Sequence, residues 1–365
     1  MEKKTKILYV IPRYVIGGAE KLVLDYAKLL DKNKYEIHVA SCVEDGELRE
    51  QFEKVTDVYV YLGSKRNDDG RFGAYLKLWK YVKKIKPNII HTHLLSADFF
   101  GFVVKLFWKE NIFWITTMHN VEGSTSFWKK FLWSYILKNV DKAIVVSKSV
   151  EKFTLEKFKV EKNKCILLLN GVDTTKWLQV SMDKLFTHNK VQLASVGRFW
   201  EQKGHVYLLQ ALSTINSFDY ELHLFGDGPL KKELVSKSKE LGIYEKIVWH
   251  GVVPNVVDYV LDMDIVVQPS LWEGLSLVVM EMMTAGRPVV VTPPAGEELL
   301  ENKKNGYIVP IKDIQKLAEI ITYIANNKQE AIEIAKKARD CASKNFDIKK
   351  NIIGLEKIYD NLDIN

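Results

Sequence analysis

Two carboxylates, Glu273 and Glu281, stand in residues 268–288, Gln-Pro-Ser-Leu-Trp-Glu-Gly-Leu-Ser-Leu-Val-Val-Met-Glu-Met-Met-Thr-Ala-Gly-Arg-Pro. An ionised carboxylate only accepts hydrogen bonds, so it grips hydroxyls. Gly274, directly after the first, lets the backbone approach a ligand closely. If a helix starts here, the amides of Gly274, Leu275, Ser276 and Leu277 are its donors without an intrahelical acceptor, and such a helix start binds phosphate. Carboxylates beside an anion site suit a molecule with hydroxyls on either side of a phosphate, and a nucleotide-sugar fits. Taken alone, the two glutamates also fit a loop carboxylate and a solvated helix residue.

A second group lies in Ser-Val-Gly-Arg-Phe-Trp-Glu-Gln-Lys-Gly, residues 195–204. Arg198 and Lys203 place two cations on a glycine-flanked loop that enters a helix at His205. A departing diphosphate needs such cations to offset the charge building on its oxygen; an ordinary solvated basic loop is the alternative. Near the N-terminus, Gly17 and Gly18 open a helix and can cradle a phosphate or simply make a tight turn. Histidines fall near strand ends at His91, His93 and His119. His91 reads as a packed, satisfied residue. No Asp or Glu sits at metal-ligand spacing beside them, so no metal is expected.

The elements that must hold these residues alternate. In the first half, apolar β-rich runs at 7–11, 36–43, 58–61, 88–91, 112–117 and 143–146 are separated by helical periodicity, as at 19–30 and 73–85. The second half repeats the rhythm, with strand-like runs at 191–196, 221–225, 246–249, 265–267, 288–291 and 307–309 and helical runs such as 206–215 and 230–241. Alternation predicts α/β architecture: two doubly wound Rossmann-like domains, each a parallel sheet covered by helices, facing across a cleft. The polar stretch 170–190 reads as the join. We expect domains at 1–172 and 173–345, with a helix in 346–365. In such sheets ligands gather at the carboxyl ends of strands, where the residues above fall.

Glu-Gly-Leu-Ser followed by Glu281 resembles the E-x7-E signature of family 4 retaining glycosyltransferases, which have the GT-B fold. Gly197-Arg198 through Lys203-Gly204 is similar to the family's second motif, and the order of motifs matches along nearly the whole chain. The resemblance implies a sugar transferred from a nucleotide-sugar, UDP-sugar favoured, to an acceptor hydroxyl with retention of configuration. It implies that Glu281 holds the ribose, Glu273 the sugar hydroxyls, and Arg198, Lys203 and the 274–277 backbone the diphosphate. His119, in a Thr-x-His after the fifth strand, would touch the sugar, and the Gly17-Gly18 loop would close over the phosphate. The loops at Gly226 and Val252 would bracket ribose and base, although ordinary turns also favour Gly and Pro. The 346–365 helix would cross back to the first domain. No cofactor or metal is expected, since enzymes of this fold do not generally need a metal, and no protein base is expected, because the leaving phosphate can take the acceptor's proton. A GT-B nucleotide-sugar epimerase and a non-catalytic nucleotide-sugar-binding or scaffold protein are the alternatives.

The remaining totals bound the setting. Apolar content of 47% and charged content of 27% are those of a globular protein. Cys42, Cys165 and Cys341 are scattered, so neither a disulfide framework nor a zinc site is expected, and a reducing, cytoplasmic compartment is. The basic N-terminus carries too short an apolar run for a signal peptide, and no stretch is long enough to span a bilayer. The net charge of +7 is uneven: residues 1–172 hold 30 Lys+Arg against 20 Asp+Glu, leaving 23 against 26 in the rest. A basic half suits nucleic acid or an anionic bilayer. Residues 99–109 and 127–133 mix aromatics with lysines, as membrane-surface segments do and as core segments also can. The expectation is peripheral attachment to the inner membrane face, a lipid-linked or polysaccharide acceptor, and no nucleic-acid partner.

Overall fold

A computed structural model describes residues 4–44, 46–56, 58–61, 70–108, 112–121 and 127–362. The chain forms two compact units: residues 1–170 with 349–365, and residues 171–348.

The first unit is built on strands β1 (Thr5–Arg13), β2 (Tyr35–Glu44), β3 (Val58–Tyr61), β4 (Ile89–His93), β5 (Phe113–Met118), β6 (Lys142–Val145) and β7 (Cys165–Leu167). They form one all-parallel sheet in the order β3-β2-β1-β4-β5-β6-β7. Parallel neighbours need crossovers, which the intervening helices supply, and helices on both faces explain near-continuous burial along strands. In β4 all five residues are buried, both histidines included. Strand β7 escapes the sequence reading because it is a three-residue edge strand with no fully buried position.

The helix Ile348–Asp360 returns to this unit. Tyr359 Oη lies 2.7 Å from Tyr9 Oη and 2.6 Å from His91 Nδ1. Tyr35 donates to Asp360 Oδ1 at 2.7 Å. The helix therefore docks through buried hydroxyls as well as through Ile352 and Leu355.

The second unit contains β8 (Val191–Val196), β9 (Tyr220–Phe225), β10 (Ile247–Gly251), β11 (Ile265–Gln268), β12 (Val289–Val291) and β13 (Tyr307–Ile308), parallel in the order β10-β9-β8-β11-β12-β13. Its core joins these strands to the helices His205–Ser213 and Ile314–Asn326. In the latter, Asp313 caps the start by accepting from the Lys316 amide, and Leu317, Ile320, Ile321 and Ile324 form the buried stripe. The polar stretch 171–190 packs on this unit. The fully buried Arg287 guanidinium donates to the carbonyls of Ser181 and, at 3.2 Å, Met263.

Candidate functional site

Both sheets reverse their winding direction once. The switch lies between β1 and β4 in the first unit and between β8 and β11 in the second. Connections diverge to opposite faces there, which opens a crevice beyond the strand ends.

In the second unit, the 3-10 turn Glu201–Lys203 follows β8 and residues 269–276 follow β11. The two segments are tied together. The Leu271 amide donates to Gln202 O at 2.7 Å, and Gln202 Nε2 donates to Trp272 O at 3.0 Å. Gly204, at φ +65°, makes the close approach possible: a Cβ there would lie 2.1 Å from Pro269 O. Glu273 sits within this clasp, 8% exposed. Its carboxylate accepts from Lys203 Nζ at 2.5 Å, Ser270 Oγ at 2.9 Å and Gln202 Nε2 at 3.2 Å. Lys203 and Glu273, read in sequence as serving different parts of a ligand, are thus each other's partners.

Arg198 differs. It is exposed, its guanidinium lies 5.8 Å from the Trp200 ring centroid, and it has no carboxylate partner among the described residues. Its charge remains available to an anion.

The helix after Glu273 runs Leu277–Thr284, with Ser276 at the N-cap in an extended conformation. It starts later than the sequence suggested, so Gly274, Leu275 and Ser276 precede it and only Leu277 is helical. Among the described residues, no backbone carbonyl accepts from the amides of Gly274, Leu275, Ser276 or Leu277. The donors expected of this segment are therefore present, three of them as loop amides. Glu281 is half-buried in the second turn.

Gly226 ends β9 at φ +142°, and its amide donates to Gly251 O at 2.7 Å. A Cβ on Gly226 would lie 2.0 Å from Gly197 O, so the ends of β8 and β9 are pressed together. Val252 follows Gly251 and is 54% exposed. Beside it the His250 ring stacks on Phe225, centroids 4.2 Å apart at 9°. His223 Nδ1 lies 2.9 Å from His250 Nε2.

In the first unit, Gly17 caps the helix Gly18–Leu29. A Cβ on Gly17 would come within 2.3 Å of Glu20 Oε2, so the glycine leaves room for a carboxylate at the positive end of the helix. His119 follows β5 and is half-buried, with Nε2 lying 2.8 Å from His93 Nδ1. Burial pushes its imidazolium down to about 4. His91 is satisfied on both nitrogens, by Tyr359 Oη and, at 2.7 Å, Thr117 Oγ1. Among the described residues no group of three or more His, Cys, Asp or Glu could hold a metal ion.

Known proteins match the chain along most of its length. The family described as Glycosyltransferase Family 4 matches residues 16–176, and Glycosyl transferases group 1 matches residues 190–327. The chain belongs to glycosyltransferase family 4. It is a glycosyltransferase with the GT-B fold. An Escherichia coli relative, UDP-Gal:alpha-D-GlcNAc-diphosphoundecaprenol alpha-1,3-galactosyltransferase, is 23% identical over 99% of this chain and 98% of its own. A Campylobacter jejuni N-acetylgalactosaminyltransferase named for a diphospho-undecaprenol acceptor is 24% identical over 81% of this chain and 83% of its own. Anabaena HepE in complex with UDP-glucose superposes with a TM-score of 0.87 at 20% identity, over 98% of this chain and 100% of that one.

Gln202 and Ser270 were not singled out in the sequence, and His93 was noted there only as a histidine near a strand end. Gln202 and Ser270 are adjacent to residues that were, but polar side chains beside a motif carry no signal of which way they face. His93 shares a face with His91 in β4, a period-two relation visible in His-Thr-His only once that segment is known to be a strand.

Proposed function

We propose that this glycosyltransferase is a retaining enzyme that moves a hexosyl or N-acetylhexosaminyl group from a UDP-sugar to a hydroxyl of a lipid-linked or surface-polysaccharide acceptor. The observation that carries this reading is the juxtaposition after β8 and β11 of an exposed Arg198, four amides without backbone acceptors at 274–277, and the buried carboxylate of Glu273. Cation and amides suit a diphosphate, and the carboxylate suits sugar hydroxyls. Lys203 holds Glu273 in place and adds positive charge beside the phosphates. Glu281 takes the ribose hydroxyls, and the Gly226 and Val252 loops take the nucleoside. From the first unit, His119 touches the sugar and the Gly17-Gly18 loop lies beside the phosphate.

In the reaction, the bond from the sugar's anomeric carbon to the phosphate oxygen breaks. The acceptor oxygen bonds that carbon on the same face, and its proton passes to the leaving phosphate. Protein cations and amides carry the charge of the diphosphate in this scheme, without a metal ion. The UDP-Gal named for the Escherichia coli relative and the UDP-glucose in HepE support the donor, and the diphospho-undecaprenol names support the acceptor.

Attachment to the inner face of a membrane belongs to the same reading. Leu106 and Phe107 on the helix Leu95–Phe107 are 61% and 64% exposed, and Phe131 on the neighbouring helix Phe127–Lys138 is 64% exposed. Exposed apolar residues on a basic unit suit an anionic bilayer surface. Phe100 and Val104 are core residues instead, and Lys105 is paired with Asp141 at 2.7 Å. The aromatic-lysine segments thus divide between core and surface. Lys109 and the side chains of Phe127, Trp128 and Lys129 lie outside the described residues. No helix among the described residues is long and apolar enough to cross a membrane.

The test is a thermal-shift screen of nucleotide-sugars, followed by NMR of the product formed from the best binder. A UDP-sugar should give the largest shift and the product should keep the donor's anomeric configuration. An inverted product would refute the retaining mechanism.

A further inference from the structure

The fully buried His93 serves no purpose in the reading above, yet it makes a hydrogen bond to His119. We propose that His93 is a positioning residue that donates from Nδ1 to His119 Nε2, holding His119 as the Nδ1–H tautomer so that it offers the donor sugar a hydrogen-bond donor. This rests on the reading that His119 touches the sugar.

The two nitrogens are 2.8 Å apart. One must carry a proton and the other a lone pair. Both rings are neutral at ordinary pH, because burial holds His93 well below the usual histidine range and brings His119 to about 4. Two arrangements remain. If His119 donates, the proton of His93 sits on Nε2, which is buried with no partner. If His93 donates, that nitrogen is a bare lone pair. An orphaned buried N–H is the rarer of the two defects in folded proteins. The second arrangement follows. His119 then accepts on Nε2 and carries its own proton on Nδ1, a nitrogen with no protein partner among the described residues.

The surroundings fix the His93 ring. His91 packs against it with centroids 4.5 Å apart at 31°, and the rings of Tyr9 and Tyr26 lie 5.8 and 6.2 Å away. His91 is itself fastened by Thr117 and by Tyr359 of the C-terminal helix. The ring that sets the tautomer has little room to turn.

The experiment is nitrogen NMR of the full chain labelled with 15N-histidine, with the His119 signals assigned through His119→Gln. His119 should show a pyrrole-like Nδ1 and a pyridine-like Nε2 between pH 6 and 8. His93→Phe should invert or average these signals, and His93→Asn, whose side-chain amide can still donate, should preserve them. UDP release from UDP-galactose should fall about tenfold or more in His93→Phe, the equivalent of one hydrogen bond, and recover in His93→Asn. A proton on Nε2 of wild-type His119, or a signal indifferent to His93→Phe, would overturn the proposal. If His93→Phe does not fold, the wild-type tautomer still decides. Unimpaired turnover by His119→Ala would instead refute the role of His119 in contacting the sugar.

Discussion

Lys203 and Glu273, far apart in sequence, share one proton-donor contact of 2.5 Å between two loops at the switch point of the second sheet. Their side chains are 18% and 9% exposed. Removing one member of such a pair leaves a buried charge uncompensated, at a cost of about 3–5 kcal/mol. Lys203→Ala should therefore lower the melting temperature and abolish transfer. Adding Glu273→Gln should recover much of the stability without recovering transfer. Thermal unfolding and UDP release, measured on both variants, separate the two effects; a double variant no more stable than Lys203→Ala would contradict the pairing.

Arg198 should behave oppositely. It is exposed and supports no described carboxylate, so Arg198→Ala should melt like the parent protein. A charged hydrogen bond to phosphate contributes about 1.5–3 kcal/mol, so UDP affinity should fall by roughly 10- to 100-fold. Calorimetric titration with UDP checks this, and unchanged affinity would remove Arg198 from the phosphate site.

Gly226→Ala should damage the second unit. The new methyl would lie 2.0 Å from Gly197 O, and the φ of +142° is one that L-residues rarely adopt. Neither atom is the end of a flexible side chain, so the strand ends must separate. The expected outcome is a lower melting temperature and lost UDP binding. Gly242→Ala is the control: its φ of +68° adds strain, but nothing lies within 4 Å.

Acid should destabilise the fold. Burial pushes His91 down to about 3, His93 well below its usual range and His205 to about 3, so the folded protein holds all three neutral. Below pH 6.5 the unfolded chain binds protons the folded chain refuses. Stability is then lost as pH falls from 6.5 towards 3, by about 1.4 kcal/mol per pH unit for each histidine. Asp98 acts in the other direction. It is fully buried, accepts from Thr92 and Thr116 on one oxygen, and is raised by burial to about 7. Its folded form keeps a proton the unfolded chain loses above about pH 4, so its contribution is lost as pH rises from 4 to 7. Asp98→Asn should raise the melting temperature at pH 7.5 and steepen its decline below pH 6. Melting curves across pH 4.5–8 test both signs.

The exposed apolar residues of the first unit should matter only at a lipid surface. Phe107→Glu with Phe131→Glu should leave the melting temperature within the range of ordinary surface changes, about 0.5 kcal/mol each. Sedimentation with phosphatidylglycerol-containing liposomes should fall at least about tenfold, as loss of apolar burial worth more than 1.4 kcal/mol requires. Parent protein that fails to sediment at low salt would refute the membrane proposal.

The sequence by itself determined the alternation of strands and helices, twelve of the thirteen strands among the described residues, and the residues with the right chemistry, because apolar periodicity and glycine placement are local properties. It also placed Arg198, Lys203 and Glu273 on loops after strands, and the 274–277 amides at a helix start that the structure moves to Leu277. Only the tertiary structure decided what those groups face. Strand order brings β8 beside β11, and so sets Lys203 and Gln202 against Glu273. Strand order likewise brings β4 beside β5, and so sets His93 against His119. Such pairings depend on which strands are neighbours and which way a polar side chain turns, and neither leaves a mark on the spacing of residues along the chain.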